Sequence, residues 1–402
     1  MKVFLFDFVP YGENLDRFKA NGHLPWPLGK QYFSPAVAVR TYAEHLAAWV
    51  EMERHGFDGV GINEHHGTPY GSMNSPNLLA ASIFQRTKKL KVLIYGNLLP
   101  LHEPLRLAEE LAMLDCLSNG RLIAGVARGA PREYRFHNIP MAESRARFEE
   151  CFEIMRKAWT EESFSYDGKF HSYKDVATWP RPVQAPHPPV WVPITGSKES
   201  IEWAAKYDLP ITPGTGSFGG PGGIPLVEDI VRHYAKCQAR HGRKVTPDHL
   251  SVFIDCYVAD SKEQAIKEYG PYSLYYFNTL FAFDHVTQDK IAGKGYYSAT
   301  SGDFRKPGSI ALNAVDEIFG GMTEEMMRAQ AENSAWGPAD ECVRRIIAEA
   351  EHAGAETVIL TCNRGAMPQE MFLNQIRRIG EEVLPRLKAH KVIRVKFAEA
   401  AP

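Results

Sequence analysis

The sequence predicts an α/β protein, a (β/α)8 barrel with insertions, on the basis of three observations. Short apolar runs alternate with longer amphipathic segments along most of the chain, which is typical of a parallel sheet covered by helices. Eight such runs occur. The 402 residues exceed the roughly 250 of a simple barrel, and the surplus lies near 164–189 and 269–322. We therefore predict one barrel domain over residues 1–402.

An open, doubly wound sheet is the alternative architecture. No G-x-G-x-x-G motif follows the first predicted strand, and eight units are many for that class. These two observations favour the barrel.

The first half of the chain contains four predicted strands with helices between them. Gly56 ends the first helix, and Pro104 stands where the first turn of a helix accepts proline. The predicted strands cover 3–9, 57–62, 90–99 and 122–127, and the predicted helices cover 38–55, 77–86, 104–117 and 142–159.

The second half repeats this alternation after an interruption. Asp167-Gly168 indicates a hairpin, and a proline-rich connector over 179–189 follows it. The predicted strands cover 190–194, 209–211, 250–258 and 357–362, and the predicted helices cover 198–207, 339–352, 369–388 and a segment beginning near Ser261.

Two segments are candidates for covering elements. The Gly-rich run 213–225 lacks the Gly-Lys-Ser/Thr ending of a phosphate-binding P-loop, so we interpret it as a mobile lid. The aromatic-rich stretch 269–322 suits a flap over an apolar substrate, and ordinary helix packing also explains its aromatic residues.

Composition and charge exclude several classes of partner. Lys and Arg total 46 against 48 Asp and Glu, so no overall field attracts nucleic acid or an anionic membrane surface. The six cysteines form no C-x-x-C pair, which favours a reducing cytoplasm over a disulfide framework. No segment has the apolar length of a membrane span, and the N-terminal apolar stretch is too short for a signal peptide. We predict a cytoplasmic protein that binds a small molecule.

Polar residues follow several predicted strands, at the end of a barrel where active sites form. Asn63-Glu64-His65-His66 follows the second strand, and Tyr95-Gly96-Asn97 ends the third. Arg128-Gly129 follows the fourth strand, and Thr195-Gly196-Ser197 follows the fifth. We expect these groups to converge on one mouth.

Gly196-Ser197 at a helix start indicates an anion site. The free backbone N–H groups and the positive end of the helix dipole suit a phosphate monoester. Arg128, on the neighbouring strand, can add a charge-assisted contact. The alternative is that Ser197 only caps the helix and Arg128 pairs with a carboxylate. A phosphate site implies a phosphorylated ligand.

His65 is the candidate for proton transfer, because imidazole titrates near neutrality. The run Glu64-His65-His66 also suggests a metal site. Consecutive side chains diverge in direction, however, and no H-x-H or H-x-x-x-H pair accompanies them, so we predict no metal.

An ordered series of motifs runs along most of the chain. It includes Gly56-Phe57-Asp58, Glu64-His65-His66, Leu117-Ser118-Asn119-Gly120-Arg121, Arg128-Gly129, Glu202-Trp203-Ala204-Ala205 and Trp336-Gly337-Pro338. In this order the motifs resemble the bacterial luciferase-like flavin monooxygenases, whose (β/α)8 barrel binds reduced FMN and activates oxygen.

The resemblance implies roles for individual residues. His65 matches the catalytic histidine of luciferases, and Glu64 and the turn ending at Asn97 match segments beside the flavin ring. Ala127 replaces a reactive cysteine, and 269–322 does not match the mobile loop of luciferases, so light emission with aldehyde oxidation is not expected. The positions matching the flavin phosphate site are Arg128, Arg145, Ser197 and Ser200, next to Gly196 of the anion site above.

The activity implied by the resemblance is that of an oxygenase component in a two-component system. FMNH2 from a separate NAD(P)H-flavin reductase reacts with O2 to a C4a-(hydro)peroxyflavin, which oxygenates a small organic substrate. A homodimer or higher oligomer is expected, without nucleic-acid or membrane partners. Two alternatives are F420-dependent hydride transfer on the same barrel and a non-enzymatic accessory subunit, and the presence of His65, Arg128 and Ser197 argues against the second.

Overall fold

Eight parallel strands form the wall of the structure, a computed structural model that describes residues 1–20, 22–213, 223–281 and 322–398. Six of the eight neighbouring pairs form parallel ladders, including the pair of the last strand with the first. The strands are β1 (Lys2–Phe6), β2 (Gly59–Ile62), β3 (Lys91–Leu98), β4 (Leu122–Ala127), β5 (Val192–Ile194), β6 (Ile211–Pro213), β7 (Ser251–Val258) and β8 (Thr357–Thr361).

The ring closes through two junctions where the pairing is short. Ala124 N of β4 donates to Pro189 O at 2.7 Å, and Val126 N donates to Trp191 O at 3.0 Å, just before β5. A parallel bridge between Ile211 and Leu250 then joins β6 to β7. All eight strands are thus connected around the ring, which confirms the predicted (β/α)8 architecture.

Helices cover the outside of this ring. Several begin at a proline, which fits the first turn because its missing N–H needs no partner there. Among the described residues, no helix combines the length and the apolarity that crossing a membrane requires. The helices are α1 (Pro35–Arg54), α2 (Pro76–Arg86), α3 (Pro104–Ser118), α4 (Pro131–Phe136), α5 (Ser144–Thr160), α6 (Lys198–Lys206), α7 (Gly223–Arg240), α8 (Lys262–Tyr275), α9 (Glu324–Asn333), α10 (Ala339–Ala353), α11 (Gln369–Arg378) and α12 (Leu384–Ala389).

The predicted insertions have different outcomes. The hairpin at Asp167-Gly168 is present, with strands Phe164–Asp167 and Ser172–Val176 paired antiparallel. The second insertion starts within α8, which continues as a π-helix over Tyr276–Phe281. Most of that insertion, 282–321, and most of the proposed lid, 214–222, lie outside the described residues.

Several boundaries and elements differ from the sequence prediction. The first strand ends at Phe6 and not at Val9, because the Asp7 side chain accepts a hydrogen bond from Val9 N at 2.9 Å and turns the chain out of the sheet. The sixth strand begins at Ile211, two residues later than predicted. Helices α4, α7 and α9 and a short strand, Ala335–Gly337, were not predicted.

The strands alternate between two apolar clusters. Val3 and Leu5 of β1 pack outward against the helices, whereas Phe4 and Phe6 point into the barrel. Glycines on β2 make room for these rings, since a Cβ on Gly59 would lie 2.2 Å from Phe4. The interior is therefore filled by aromatic side chains. These side chains lie beneath the end of the barrel where the carboxyl ends of the strands meet.

The backbones of β3 and β4 approach each other closely at the predicted site segment. The peptide bond between Tyr95 and Gly96 is cis, and the pairing is irregular between Ile94 and Asn97. A Cβ on Gly96 would lie 2.5 Å from Val126 N, and one on Gly125 would lie 2.1 Å from the Ile94 carbonyl oxygen. Both glycines are required because no side chain fits between these backbones.

We expect Gly125→Ala to lower the free energy of unfolding by about 3 kcal/mol, since the added methyl group meets a backbone oxygen that cannot rotate away. Gly242→Ala is the control, because its site is open and its φ of +72° alone costs about 1–2 kcal/mol. Chemical denaturation measures both. Equal stability of the two variants would show that the β3–β4 approach is not restrictive.

Candidate active site

The predicted site residues lie at one end of the barrel. Asn63 to His66 follow β2, Asn97 lies near the end of β3, Arg128 follows β4, and Gly196-Ser197 follows β5. Because all eight strands are parallel, these positions share the rim formed by the carboxyl ends.

His65 is held by a buried carboxylate that the sequence analysis did not identify. Nδ1 of His65 lies 2.7 Å from Oε1 of Glu133, and the Glu133 side chain is fully buried. Burial raises the pKa of Glu133, but the charges of His65 and Arg132 and their hydrogen bonds outweigh it and hold the pKa below its ordinary value. The ionised carboxylate only accepts, so Nδ1 carries a proton. Nε2 of His65 has no hydrogen-bond partner among the described residues.

Helix α4 brings Glu133 to this position. Pro131 and Glu133 occupy the first and third positions of α4, and the Glu133 side chain accepts a hydrogen bond from Ala130 N. Arg132 is buried and donates through Nε to the backbone oxygen of His66 at 2.7 Å. The Pro-x-Glu pattern is a helix-start signal, and it is the feature of the sequence from which α4 could have been predicted.

Glu64 lies at the same rim, but the protein already engages both of its oxygens. Oε2 accepts from Leu98 N at 2.9 Å, and the rings of His66 and His102 lie within 3.0 Å of the carboxylate. Burial raises the pKa of Glu64, yet these hydrogen bonds outweigh it and lower the pKa to about 2. His102 in turn has a raised pKa, because Glu64 outweighs the effect of burial.

The side chains of Glu64-His65-His66 do not converge on one point. His65 contacts Glu133, whereas His66 and Glu64 contact each other at 2.9 Å. The divergence expected for consecutive residues is observed.

Several neutral polar groups at the rim are buried without a partner. Both amide atoms of Asn97 are buried and make no hydrogen bond among the described residues. The same holds for Oδ1 of Asn63, Oγ1 of Thr361 and Oδ1 of Asn363, at or just beyond the ends of β2 and β8. Buried polar groups in folded proteins are almost always paired, so these atoms indicate a place where a polar ligand binds.

The predicted phosphate-binding residues form one connected group. Nη1 of Arg128 lies 3.5 Å from Oγ of Ser144, the first residue of α5. The next residue, Arg145, donates from Nη2 to Oγ of Ser200 at 2.8 Å. Ser200 N donates to Oγ of Ser197 at 3.4 Å, so Ser197 caps α6. The N-terminal ends of α5 and α6 therefore meet beside two arginines, which we call the arginine-serine cluster.

The arginine-serine cluster and His65 are joined through α4. Arg128 immediately precedes the turn into α4, and its carbonyl oxygen accepts a hydrogen bond from the Tyr134 hydroxyl of that helix. Gly129 has a φ of +85°, and a Cβ there would lie 2.9 Å from the Glu133 carboxylate. Arg128 and His65 thus lie on one side of the rim.

Tyr70 packs against His65 and connects it to further aromatic side chains. The Tyr70 ring lies 4.9 Å from the imidazole, and Tyr70 in turn contacts Phe8, Tyr276 and Phe281. The described aromatic residues of the second insertion therefore pack into the barrel mouth, whereas Phe283 lies outside the described residues.

A buried ion pair on the β7–β8 side of the rim was also missed. Asp255 of β7 lies 3.2 Å from Nη2 of Arg364, and it accepts hydrogen bonds from Trp336 and Tyr269. Burial raises the pKa of Asp255, although the charge of Arg364 opposes it. The two residues are distant in sequence, so no local pattern connects them.

A cavity of about 520 Å³ borders the segment that follows His65. Gly67, Pro69 and Asn74 form its inner wall, and Asn74 donates to the His65 carbonyl oxygen at 3.0 Å. The cavity is mainly apolar, with the aromatic lining residues Tyr11, Trp26, Tyr32, Phe33, Tyr42 and Phe136.

Comparison with known proteins identifies the family. The family model described as luciferase-like monooxygenase matches residues 21–357. The alkanal monooxygenase alpha chain of Photorhabdus luminescens is 33% identical over 160 residues, which are 40% of this chain and 44% of that protein. The alignments to the first curated relatives cover 44–63% of the length of those proteins, which is less than two thirds.

Solved structures have the same fold over nearly the whole chain. The monooxygenase RslO1 from Streptomyces bottropensis has a TM-score of 0.72 and 25% identity, covering 96% of this chain and 99% of its own. The oxygenating constituent of 3,6-diketocamphane monooxygenase from Pseudomonas putida, in complex with FMN, has a TM-score of 0.68 at 18% identity, covering 96% and 98%. An F420-dependent secondary alcohol dehydrogenase has a TM-score of 0.62 at 15% identity, covering 96% and 98%. The family model covers most of the sequence and the fold agrees with it, so the chain belongs to the luciferase-like monooxygenase family.

Proposed function

We propose that this protein is a reduced-FMN-dependent monooxygenase that uses O2 to oxygenate a small, largely apolar organic substrate. One observation carries the proposal, namely that the arginine-serine cluster, the unpartnered amide of Asn97 and His65 occur together at one end of the barrel. The cluster suits a phosphate, the amide suits the polar edge of a flavin ring, and His65 suits proton transfer.

The arginine-serine cluster would hold the phosphate of FMN. The N-terminal ends of α5 and α6 contribute backbone N–H groups and positive dipole ends, and Arg128 and Arg145 add full positive charges. Glu149 and Glu199 lie 3.8 and 3.7 Å from Arg145 and partly offset its charge. A phosphate dianion at this position would form charge-assisted hydrogen bonds with both arginines.

His65 would hold and move a proton beside the flavin. Bound reduced FMN would supply the two electrons with which one oxygen atom of O2 enters the substrate and the other leaves as water. Nε2 of His65 is the atom available for the proton, because Glu133 holds Nδ1. Glu133 orients the imidazole through this contact.

The aromatic groups around His65 would exclude water and favour an apolar substrate. Phe8, Tyr70 and Tyr276 are buried at the rim, and their rings pack against one another and His65. Such a lining would keep water away from the reacting groups and so limit side reactions with water.

Reduced FMN would come from a separate NAD(P)H-flavin reductase, since no G-x-G-x-x-G motif follows the first strand, where a dinucleotide-binding fold carries it. The six cysteines are all free thiols, which supports a reducing cytoplasmic location. A homodimer or higher oligomer is part of the proposal because it is expected for the family.

Arg145→Gln tests the phosphate site. We expect it to weaken FMN binding by about 10- to 100-fold, because a charge-assisted hydrogen bond contributes about 1.5–3 kcal/mol. Binding of riboflavin, which has no phosphate, should change little. Fluorescence titration of both ligands makes the measurement.

Arg147→Gln is the matched control, since Arg147 lies on the same helix and pairs with Glu143. Equal FMN affinity for wild type and Arg145→Gln would contradict the phosphate site. Tighter binding of F420 than of FMN, without oxygen consumption, would favour deazaflavin-dependent hydride transfer.

His65→Ala tests the proton-transfer role. We expect oxygenated product to fall by about 100-fold or more, because general acid-base catalysis contributes roughly that factor. FMN affinity should be unchanged, since the phosphate contacts lie elsewhere.

The measurement supplies chemically reduced FMN and isotopically labelled O2 to the wild type with a panel of small ketones, aldehydes and aromatic compounds. Label in the product demonstrates oxygenation. The histidine control is His171→Ala, which alters a hairpin side chain stacked on Tyr173. Undiminished product formation in His65→Ala would remove His65 from the mechanism.

Glu133→Gln tests the orienting carboxylate. A glutamine is neutral and no longer fixes a proton on Nδ1 of His65, so the rate of product formation should fall by about 10- to 100-fold. Glu153→Gln, on the outer helix α5, is the control.

The same substitution affects stability in a defined pH range. A carboxyl with a depressed folded pKa stabilises the protein above its unfolded pKa of about 4.5 and loses this contribution as the pH falls through the folded value. Wild type should therefore lose stability more steeply than Glu133→Gln below about pH 5. Identical acid unfolding curves and undiminished product formation would show that Glu133 is not an ionised partner of His65.

A further inference from the structure

Two helices outside the barrel bring three metal-binding side chains together. Glu202 lies on α6, and His233 and Cys237 lie one turn apart on α7. The spacing of four residues places His233 and Cys237 on the same face of the helix. One donor atom from each of the three residues lies within 4.8 Å of the other two, and Nε2 of His233 lies 3.1 Å from Oε1 of Glu202.

We propose that Glu202, His233 and Cys237 form a zinc site that clips α6 to α7. Imidazole nitrogen, thiolate sulfur and carboxylate oxygen are the three ligand types that Zn²⁺ binds in proteins. A tetrahedral ion would place their donor atoms roughly 3.3–3.8 Å apart, so the observed separations need only small side-chain rotations. A water molecule would complete the coordination.

The setting of the three ligands distinguishes this group from a chance surface cluster. Cys237 is 3% exposed and His233 is 18% exposed, so two ligands are already ordered by the packing of the helices. Glu202 is half exposed and leaves a side open for the ion to enter. Zinc-bound thiolate and carboxylate together neutralise a divalent ion, so the nearby positive charges of Lys198 and Arg240 do not prevent binding.

The proposed ion has a structural consequence and takes no part in the proposed oxygenation. Glu202 lies within the same short helix that Ser197 caps at the rim. A metal joining this helix to α7 would therefore restrain the element that carries Ser197 and Ser200. The zinc site does not depend on FMN, and its test uses the full-length protein without flavin.

Cobalt titration of the chelator-treated protein tests the ligand set. Co²⁺ substitutes for Zn²⁺ and reports a bound thiolate through a charge-transfer band in the near ultraviolet, together with visible bands typical of tetrahedral coordination. We expect about one equivalent to bind and added Zn²⁺ to displace it. Zinc should also raise the melting temperature, because it binds only the folded arrangement.

Variants assign the site to these three residues. Cys237→Ser should abolish the thiolate band. Glu202→Gln should weaken zinc binding by more than about 100-fold. Because Glu202 is half exposed, this substitution should not disturb folding. Cys116→Ser is the control, since Cys116 is the one exposed cysteine of the chain and the first candidate for adventitious binding.

The proposal is overturned if wild type shows no thiolate band, if the band survives Cys237→Ser, or if Cys116→Ser removes it. Wild-type zinc affinity in Glu202→Gln would likewise overturn the three-ligand set. If Cys237→Ser does not fold, His233→Asn replaces it, and retention of tetrahedral cobalt bands in that variant counts against the site.

Discussion

The eight strands of the barrel all run in the same direction, because a helix returns the chain to the same end of the barrel between consecutive strands. This parallel arrangement determines where polar groups collect. The interior is filled by aromatic side chains such as Phe4 and Phe6, so it offers no channel. The carboxyl ends of the strands share one rim, and groups far apart in sequence meet there. His65 and Ser197 reach the same end of the molecule for this reason.

Buried carboxylates and buried amides at the rim differ in whether other residues of the protein provide their hydrogen-bond partners. Glu64, Glu133 and Asp255 are buried with cationic or hydrogen-bonding partners, because an unpaired buried charge costs several kcal/mol. The amides of Asn97 and Asn363 instead keep atoms without a partner. An unpaired neutral group costs only about 1–3 kcal/mol, which a bound ligand can recover. The buried carboxylates thus order the rim, while neutral groups with unpartnered atoms, such as Asn97, could bind the polar edge of a ligand beside the arginine-serine cluster.

Helix α6 connects the two proposals. Its first turn, capped by Ser197, faces the arginine-serine cluster, and Glu202 on the same helix faces α7. The helix has only nine residues, so restraint at one position extends to the other. A metal at the outer face and a phosphate at the rim would therefore hold the same rigid element from two sides.

The sequence by itself determined the repeating pattern and the positions of the rim residues. Strand and helix periods, the Asp167-Gly168 turn and the cap at Ser197 are local signals, since each depends on residues a few positions apart. The short strand Ala335–Gly337 was not predictable, because three residues form a strand only by pairing with β7.

The tertiary structure alone decided which side chains meet. Glu133 lies 68 residues from His65, and His102 lies 38 residues from Glu64. These pairs form because α4 and the turn between β3 and α3 pack over the rim. No periodic pattern in the sequence links residues that are so far apart along the chain. The same applies to Glu202 and His233, which belong to separate helices whose packing brings an oxygen and a nitrogen together. Capping hydrogen bonds and the periodicity of apolar residues involve residues that are close in the sequence. The contacts within the site join residues that are distant in the sequence, and they form only when the barrel has closed.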